Sequence, residues 1–414
     1  MSSSPATARA PTTLRATTER VHPLDWLRVL ALLGVFVYHT LRPFDTNDWH
    51  VKNAEQSEVV TILLTSMAWG LALFFLLAGA GSGLALRWRT PAQYARERLL
   101  RLGLPLVTAY LLLAPVQAYL QDTASGQYDG SLPAYLPHFF DAEWANLRDG
   151  PDFPLVVPWA GHLWFLVFLL WFCLLALPLL VLLRRPRGQQ LVDWLGRHAH
   201  RRGAILLWAI PLALVNVTLP APAVEHGWAE FVVYFDTFLA GALLLADQRL
   251  VAAVRRDLRP ALYVALAGTG ALIAALTTGA FERWSDGPAY SWSSALLYIV
   301  ITVWAWACIS VALALGLRAT RFQRPLPQSV GAAAMPFFLI HQPVILAVAF
   351  VVVDWHTAIA VKLPVLLAIS LVVSVPIAVV LSRLPYVSTM VGVKRRSRPV
   401  TAGLSEGLNG SRVQ

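Results

Sequence analysis

The sequence predicts an all-α protein that crosses a membrane about ten times. The chain has 414 residues, of which 57% are hydrophobic, and its mean hydropathy is +0.59. Only 14% of the residues are charged, whereas soluble domains carry about 25%. The apolar residues fall in stretches of roughly 20, the length that a helix needs to cross a bilayer. These three observations exclude a soluble enzyme built around one large core.

Ten apolar stretches divide the chain. They cover residues 24–42, 59–86, 99–120, 160–183, 204–220, 228–247, 261–280, 291–316, 330–352 and 358–382. The second is long, and its glycine-rich run 79–83 predicts either a break or close helix packing. We therefore predict one transmembrane domain over residues 23–392 with a long outer loop at 121–159. Flexible cytoplasmic tails are predicted at 1–22 and 393–414.

The distribution of positive charge predicts the orientation. Arginine and lysine concentrate in the N-terminal tail, in the connections after spans two, four, six and eight, and in the C-terminal tail. Most acidic residues lie in the other connections. Because cytoplasmic segments carry the excess of Lys and Arg, both termini are predicted to be cytoplasmic and the protein to lie in the cell membrane. The net charge of +10 then reflects topology rather than nucleic-acid binding.

Two ionisable side chains on the first span are the first candidates for a functional site. Arg28 and His39 are eleven residues apart, which is about three helical turns, so both lie on one face and roughly 16 Å apart along the axis. Ionisable groups inside a membrane are costly and usually face the protein interior or a polar cavity. Asp25, three residues before Arg28, can pair with it on the same face.

Three further polar residues lie within other spans. The predicted orientation places His162 at the outer mouth of span four and His341 near mid-depth in span nine, and Asp236 lies in span six. Pro343 is expected to loosen its helix and free backbone carbonyls. An interfacial position explains His162 equally well, and packing with interhelical hydrogen bonding explains His341 at least as well as chemistry does. Asp236 could simply pair with a cation of the outer leaflet. No metal-ligand spacing and no nucleophile elbow occurs in the sequence, so we predict no metal site.

The outer segment 121–159 is long and acidic, and it contains several aromatic residues. These are Tyr128, Tyr135, Phe139, Trp144 and Phe153. Long connections are often functional, and aromatic faces beside carboxylates suit a sugar-like acceptor. An aromatic belt at the membrane interface explains the same residues equally well.

The chain resembles the acyltransferase-3 family of integral membrane acyltransferases. That family's first span carries a basic residue, ten intervening residues and a histidine, which Arg28 and His39 match. Its cytoplasmic Arg-x-x-Arg pattern is matched by Arg98 and Arg101. Ala78 stands where a serine is usual in the family, so this chain lacks that hydroxyl.

Two shorter stretches refine the resemblance. The residues from His162 to Leu166 and from His341 to Ile345 are similar to the branch that succinylates periplasmic glucans, the glucan biosynthesis protein C-like branch. The resemblance implies transfer of an acetyl or succinyl group from cytoplasmic acyl-CoA to a hydroxyl of an extracytoplasmic carbohydrate such as a glucan. Acyl-CoA would be the donor substrate, and no permanently bound cofactor is implied.

The resemblance also implies roles for the polar residues. His39 would be the general base, with Arg28 and His162 in the same catalytic site. Arg98 and Arg101 would bind the phosphates of acyl-CoA. The supporting residues would be Asp25, His341 and Asp236.

Two other classes of protein fit the same buried polar groups. A transporter exporting an anionic or acylated small molecule would need them, although the spans show no obvious inverted repeat. A structural or partner-binding membrane protein would use them as an assembly surface. Chemical modification of the substrate distinguishes the enzyme from both.

Overall fold

A computed structural model describes residues 21–149, 161–219, 227–285, 287–288 and 290–393. The described residues form helices and no strand. The α-helices are α1 (His22–Leu41), α2 (Glu58–Met67), α3 (Trp69–Ala85), α4 (Pro91–Arg98), α5 (Leu104–Ala124), α6 (Leu132–Asp149), α7 (Trp164–Leu175), α8 (Leu177–Leu183), α9 (Pro186–His198), α10 (Ala209–Thr218), α11 (Trp228–Leu244), α12 (Gln248–Arg256), α13 (Leu258–Thr277), α14 (Ala280–Ser285), α15 (Trp292–Arg318), α16 (Gln328–Val352), α17 (Ile359–Arg383) and α18 (Val387–Met390). Of the predicted tails at 1–22 and 393–414, residues 1–20 and 394–414 lie outside the described residues.

The predicted fold class, a polytopic all-α membrane protein, is confirmed. Among the described residues, seven helical stretches are long and apolar enough to cross a membrane, and two bent helix pairs raise the number to nine. The fifth predicted span, 204–220, is not among these nine; it forms a shorter apolar helix at Ala204–Thr218. It begins directly after Gly203, whose φ of 79° ends the preceding turn.

The helices break at positions that differ from the predicted one. The alternative of a break in the run 79–83 is wrong, because α3 continues through it; a single residue, Ala68, separates α2 from α3 within one continuous span. Span four bends by 45° between α7 and α8. Pro178 explains this bend, since its nitrogen has no hydrogen to donate to the preceding turn.

The glycine run serves close helix packing, which was the alternative prediction. A Cβ atom on Gly79 would lie closer than 3.0 Å to the carbonyl oxygen of Phe238 on α11. A Cβ atom on Gly241 of α11 would come equally close to the carbonyl oxygen of Leu76 on α3. The two backbones therefore touch at their crossing, where only glycine fits.

Helix α1 lies between α3 and α16. It packs against α3 and against α16. The main core beside it contains Phe75 of α3, Phe172 of α7 and Phe238 of α11, all fully buried. Polar side chains on α1 can therefore contact these neighbouring helices.

Much of the predicted outer loop 121–159 is helical. Helix α6 packs against α5, and its Tyr135 hydroxyl donates to the Asp122 carboxylate. Burial, followed by this hydrogen bond, raises the pKa of Tyr135 above its usual range. The side chain of Trp144 is exposed, whereas Phe153 lies outside the described residues. Tyr135 and Asp122 of this segment thus contact each other rather than line an open loop.

Candidate active site

The structure brings three predicted histidines together. His39 on α1 places its Nδ1 atom 2.9 Å from Nε2 of His341 on α16. The two rings are stacked, with centroids 5.1 Å apart. His162 packs its ring edge-on against His341, with centroids 5.3 Å apart. His341 and His162 are buried, and His39 is half-buried.

Pro343 explains why His162 forms a hydrogen bond to α16. An α-helix residue normally donates its N–H to the carbonyl four residues earlier, and proline has no N–H. The carbonyl of Leu339 therefore lacks its usual donor. His162 supplies one, because its Nε2 lies 3.2 Å from the Leu339 oxygen. The predicted freeing of a backbone carbonyl by Pro343 thus leaves an acceptor for the hydrogen bond that holds the turn before α7 against α16.

A short connection between α1 and α2 lies over the histidines. The indole of Trp49 is nearly parallel to the His39 ring, with an interplanar angle of 13° and centroids 6.4 Å apart. The neighbouring His50 hydrogen-bonds Gln121 of α5 through its Nδ1. Trp49 was not predicted from the sequence, because the longer connection at 121–159 contains more aromatic residues. The sequence signal was an acid, Asp45, between two cations, Arg42 and Lys52, which favours an ordered connection.

A buried ion-pair cluster fixes this connection. The Asp45 carboxylate is fully buried and pairs with both Arg42 and Lys52. The Lys52 ammonium lies 2.6 Å from Asp45 Oδ1 and also donates to the backbone oxygen of Arg42. Asn53 accepts a hydrogen bond of 2.7 Å from the buried Lys362 on α17. These contacts tie the Trp49 connection to the bundle.

Replacing the buried carboxylate should release the connection. In Asp45→Ala, Arg42 and Lys52 lose their shared anion, and removing one partner of a buried ion pair costs about 3–5 kcal/mol. We expect amide hydrogen exchange to accelerate in residues 42–57 with little change in α13 or α15. Asp48→Ala is the matched control, because the Asp48 side chain is exposed. Equal protection of the connection in both variants would contradict this account.

The predicted donor-side arginines also lie together. Arg28 pairs with Asp25 at 3.0 Å, as predicted, and donates to the Leu77 carbonyl of α3 at 2.8 Å. Gly81 makes room for the guanidinium, since a Cβ atom there would lie closer than 3.0 Å to it. The positive charges of Arg98 and Arg101 act on Arg28. Because their charges interact, the first-span arginine and the Arg-x-x-Arg pair are together called the cationic cluster.

A π-helical turn positions the Arg-x-x-Arg pair. Residues Leu99–Gly103 form it between α4 and α5. Arg98 lies over the ring of Tyr94 at 4.8 Å, and Arg101 lies 3.3 Å from Glu97. Turns of this kind inside α-helices occur frequently at functional sites. The sequence did not predict this turn, because a π-helix has no simple residue pattern.

Asp236 does not join either cluster. Its Oδ2 is buried without a hydrogen-bond partner, and no contact within the described residues joins it to the histidines. Arg28 and His39 pack against different helices, α3 and α16, although they were predicted to share one face. The structure thus has a cationic cluster of Arg28, Arg98 and Arg101 and, along α1, a separate histidine cluster of His39, His162 and His341.

The helical bundle with these two polar clusters defines a multi-pass membrane protein with a candidate active site inside the bundle. A family model described as an acyltransferase domain, Acyl_transf_3, matches residues 21–383. The chain therefore belongs to the acyltransferase-3 family and is a membrane acyltransferase. No curated protein and no solved structure matches the chain.

Proposed function

We propose that the protein transfers an acyl group from cytoplasmic acyl-CoA to a hydroxyl of an extracytoplasmic carbohydrate. The observation that supports this most is the separation of the two polar clusters along α1. Arg28 and His39 are eleven residues apart, or roughly 16 Å of helix, and each lies in a different cluster. The cationic side chains that would bind the donor and the histidines that would act on the acceptor therefore lie at different levels of one helical bundle.

The cationic cluster is the proposed donor site. Guanidinium groups form strong paired hydrogen bonds with phosphates, and CoA carries several phosphates. Arg98 and Arg101 lie at the end of the bundle that the charge distribution predicts to be cytoplasmic. Arg28, which Asp25 and the Leu77 carbonyl hold in place, extends the cluster into the bundle. The pantetheine arm would run from there toward His39.

The histidine cluster is the proposed site of chemistry. His39 takes the proton of the acceptor hydroxyl as that oxygen attacks the thioester carbonyl, and His162 helps to orient the acceptor. A bond forms between the acceptor oxygen and the acyl carbon, and the carbon–sulfur bond breaks. The departing CoA thiolate takes the proton from His39. The same residues serve a route through an acyl-histidine intermediate.

The substrate classes follow from the resemblance to glucan-succinylating proteins. We propose an acetyl or succinyl donor and an acceptor such as a glucan or a cell-surface glycan. Trp49 beside His39 supports a carbohydrate acceptor, because an indole face offers a sugar ring a flat apolar surface. The protein would lie in the cell membrane with both termini in the cytoplasm.

Removal of the Arg-x-x-Arg pair tests the donor site. Arg98→Ala with Arg101→Ala should weaken binding of acyl-CoA to the purified protein about 10²- to 10⁴-fold, because each of the two lost charge-assisted hydrogen bonds costs about 1.5–3 kcal/mol. Titration calorimetry in nanodiscs measures this dissociation constant. Arg96→Ala is the control, since Arg96 lies on the same helix α4 with an exposed side chain. Unchanged acyl-CoA affinity in the double variant would refute the assignment.

A further inference from the structure

The hydrogen bonds of His341 fix the position of its proton. Its Nδ1 lies 2.7 Å from the carbonyl oxygen of Phe338, one turn earlier on α16. A carbonyl oxygen only accepts hydrogen bonds, so Nδ1 carries the proton. His341 is fully buried, and no carboxylate contacts it among the described residues. An imidazole in such a place is neutral, which leaves a lone pair on its Nε2.

That lone pair in turn fixes the proton of His39. The 2.9 Å contact joins His341 Nε2 to His39 Nδ1, and the first of these atoms can only accept. His39 therefore donates from Nδ1 and keeps its own lone pair on Nε2. His39 Nε2 has no hydrogen bond to any described residue, and His39 is only half-buried. The nitrogen without a proton is thus the one that an incoming hydroxyl can reach.

We propose that His341 is a positioning residue of the acyl transfer, holding His39 in the tautomer whose Nε2 accepts the proton of the attacking hydroxyl. This inference rests on the proposed function. His341 does not touch the substrate; it acts through His39. When His39 becomes protonated at Nε2, its Nδ1–H still donates to His341, so the hydrogen bond persists through the step.

His162 supports the same arrangement from the other side. Its Nε2 donates to the Leu339 carbonyl that Pro343 leaves without an N–H donor. This bond holds the turn of α16 that carries the Phe338 carbonyl and His341. The resulting chain of contacts runs from the backbone of α16 through His341 to His39. An exposed histidine such as His198 on α9 has no comparable partner histidine.

Three substitutions of His341 separate this role from simple packing. Gln places its amide oxygen where His341 Nε2 lies, so His341→Gln keeps an acceptor for His39. Asn is shorter, so His341→Asn keeps the bond to Phe338 and loses the bond to His39. Phe fills the space of the ring without either bond. We expect His341→Asn and His341→Phe to lower kcat about 10- to 100-fold, as loss of a supporting hydrogen-bond partner does elsewhere.

The measurement is steady-state acyl transfer by the full-length protein in nanodiscs, with acetyl-CoA or succinyl-CoA as donor and a glucan as acceptor. His341→Gln should retain kcat within about threefold of the wild type, and KM for the donor should stay unchanged in all three variants. Thermal unfolding identifies any variant that fails to fold. A wild-type kcat in folded His341→Asn or His341→Phe would overturn the proposal, as would a His341→Gln variant as slow as His341→Asn. Activity that survives His39→Ala would instead overturn the proposed function itself.

Discussion

His39→Ala is expected to abolish acyl transfer while the protein still inserts and folds. Loss of a positioned general base lowers the rate by roughly 10²- to 10⁴-fold. His39 is half-buried and does not belong to the apolar core. Its one hydrogen bond to a described residue is to His341. Its removal leaves the buried Nε2 of His341 without a donor, which should cost about 1–3 kcal/mol and leave the protein folded. The rate of ester formation and the thermal unfolding of the purified variant are the two measurements.

The control for this substitution is another histidine. His198→Ala removes an exposed imidazole on α9, and it should leave the rate of transfer unchanged. Wild-type transfer in folded His39→Ala would show that another group is the base. A loss of activity together with a loss of folding would show that the histidine cluster stabilises the bundle, and His39→Gln would then repeat the test with a polar side chain of similar size.

Gly79→Ala is expected to destabilise the bundle more than any other single-methyl change on α3. The added Cβ would meet the backbone oxygen of Phe238, which cannot rotate away as a side chain can. Overpacking of this kind costs typically about 1–3 kcal/mol and sometimes more. The helices α3 and α11 must separate to admit it. Chemical denaturation in detergent measures the change in the free energy of unfolding.

Gly70 provides the matched control on the same helix. A Cβ atom on Gly70 has no neighbour within 4 Å, and alanine has a higher helix propensity than glycine. Gly70→Ala should therefore leave stability unchanged or raise it slightly. If Gly79→Ala and Gly70→Ala had the same effect, the close crossing of α3 and α11 would not govern the stability of the bundle.

The spans could be predicted from the sequence because a bilayer imposes a length and a polarity on each helix. The histidines of the cluster could be singled out one at a time as candidates, since an ionisable group within a span is costly wherever it lies. Their mutual contact could not, because it depends on the packing of α1, α7 and α16. Periodicity placed Arg28 and His39 on one helix face, but the structure packs them against different neighbouring helices.

Other features had weaker sequence signals. The glycines at 79–83 allow either a break or a close approach, and only the position of α11 decides between them. The connection that carries Trp49 is short and polar, so its ordering depends on the burial of Asp45 between two cations. The π-helical turn at Leu99–Gly103 arises from how α4 and α5 meet in space. In each case the missing information was tertiary packing, not residue type.

The most direct test of the proposed O-acyltransferase activity compares the mass of cell-surface glycans from cells that contain the wild-type protein, His39→Ala or no copy of the protein. The proposed function predicts glycans heavier by one acetyl or succinyl group per modified site with the wild-type protein only. Ester release by mild alkali should remove that added mass. Identical glycan masses in all three samples, with the wild-type protein present in the membrane, would contradict the proposal.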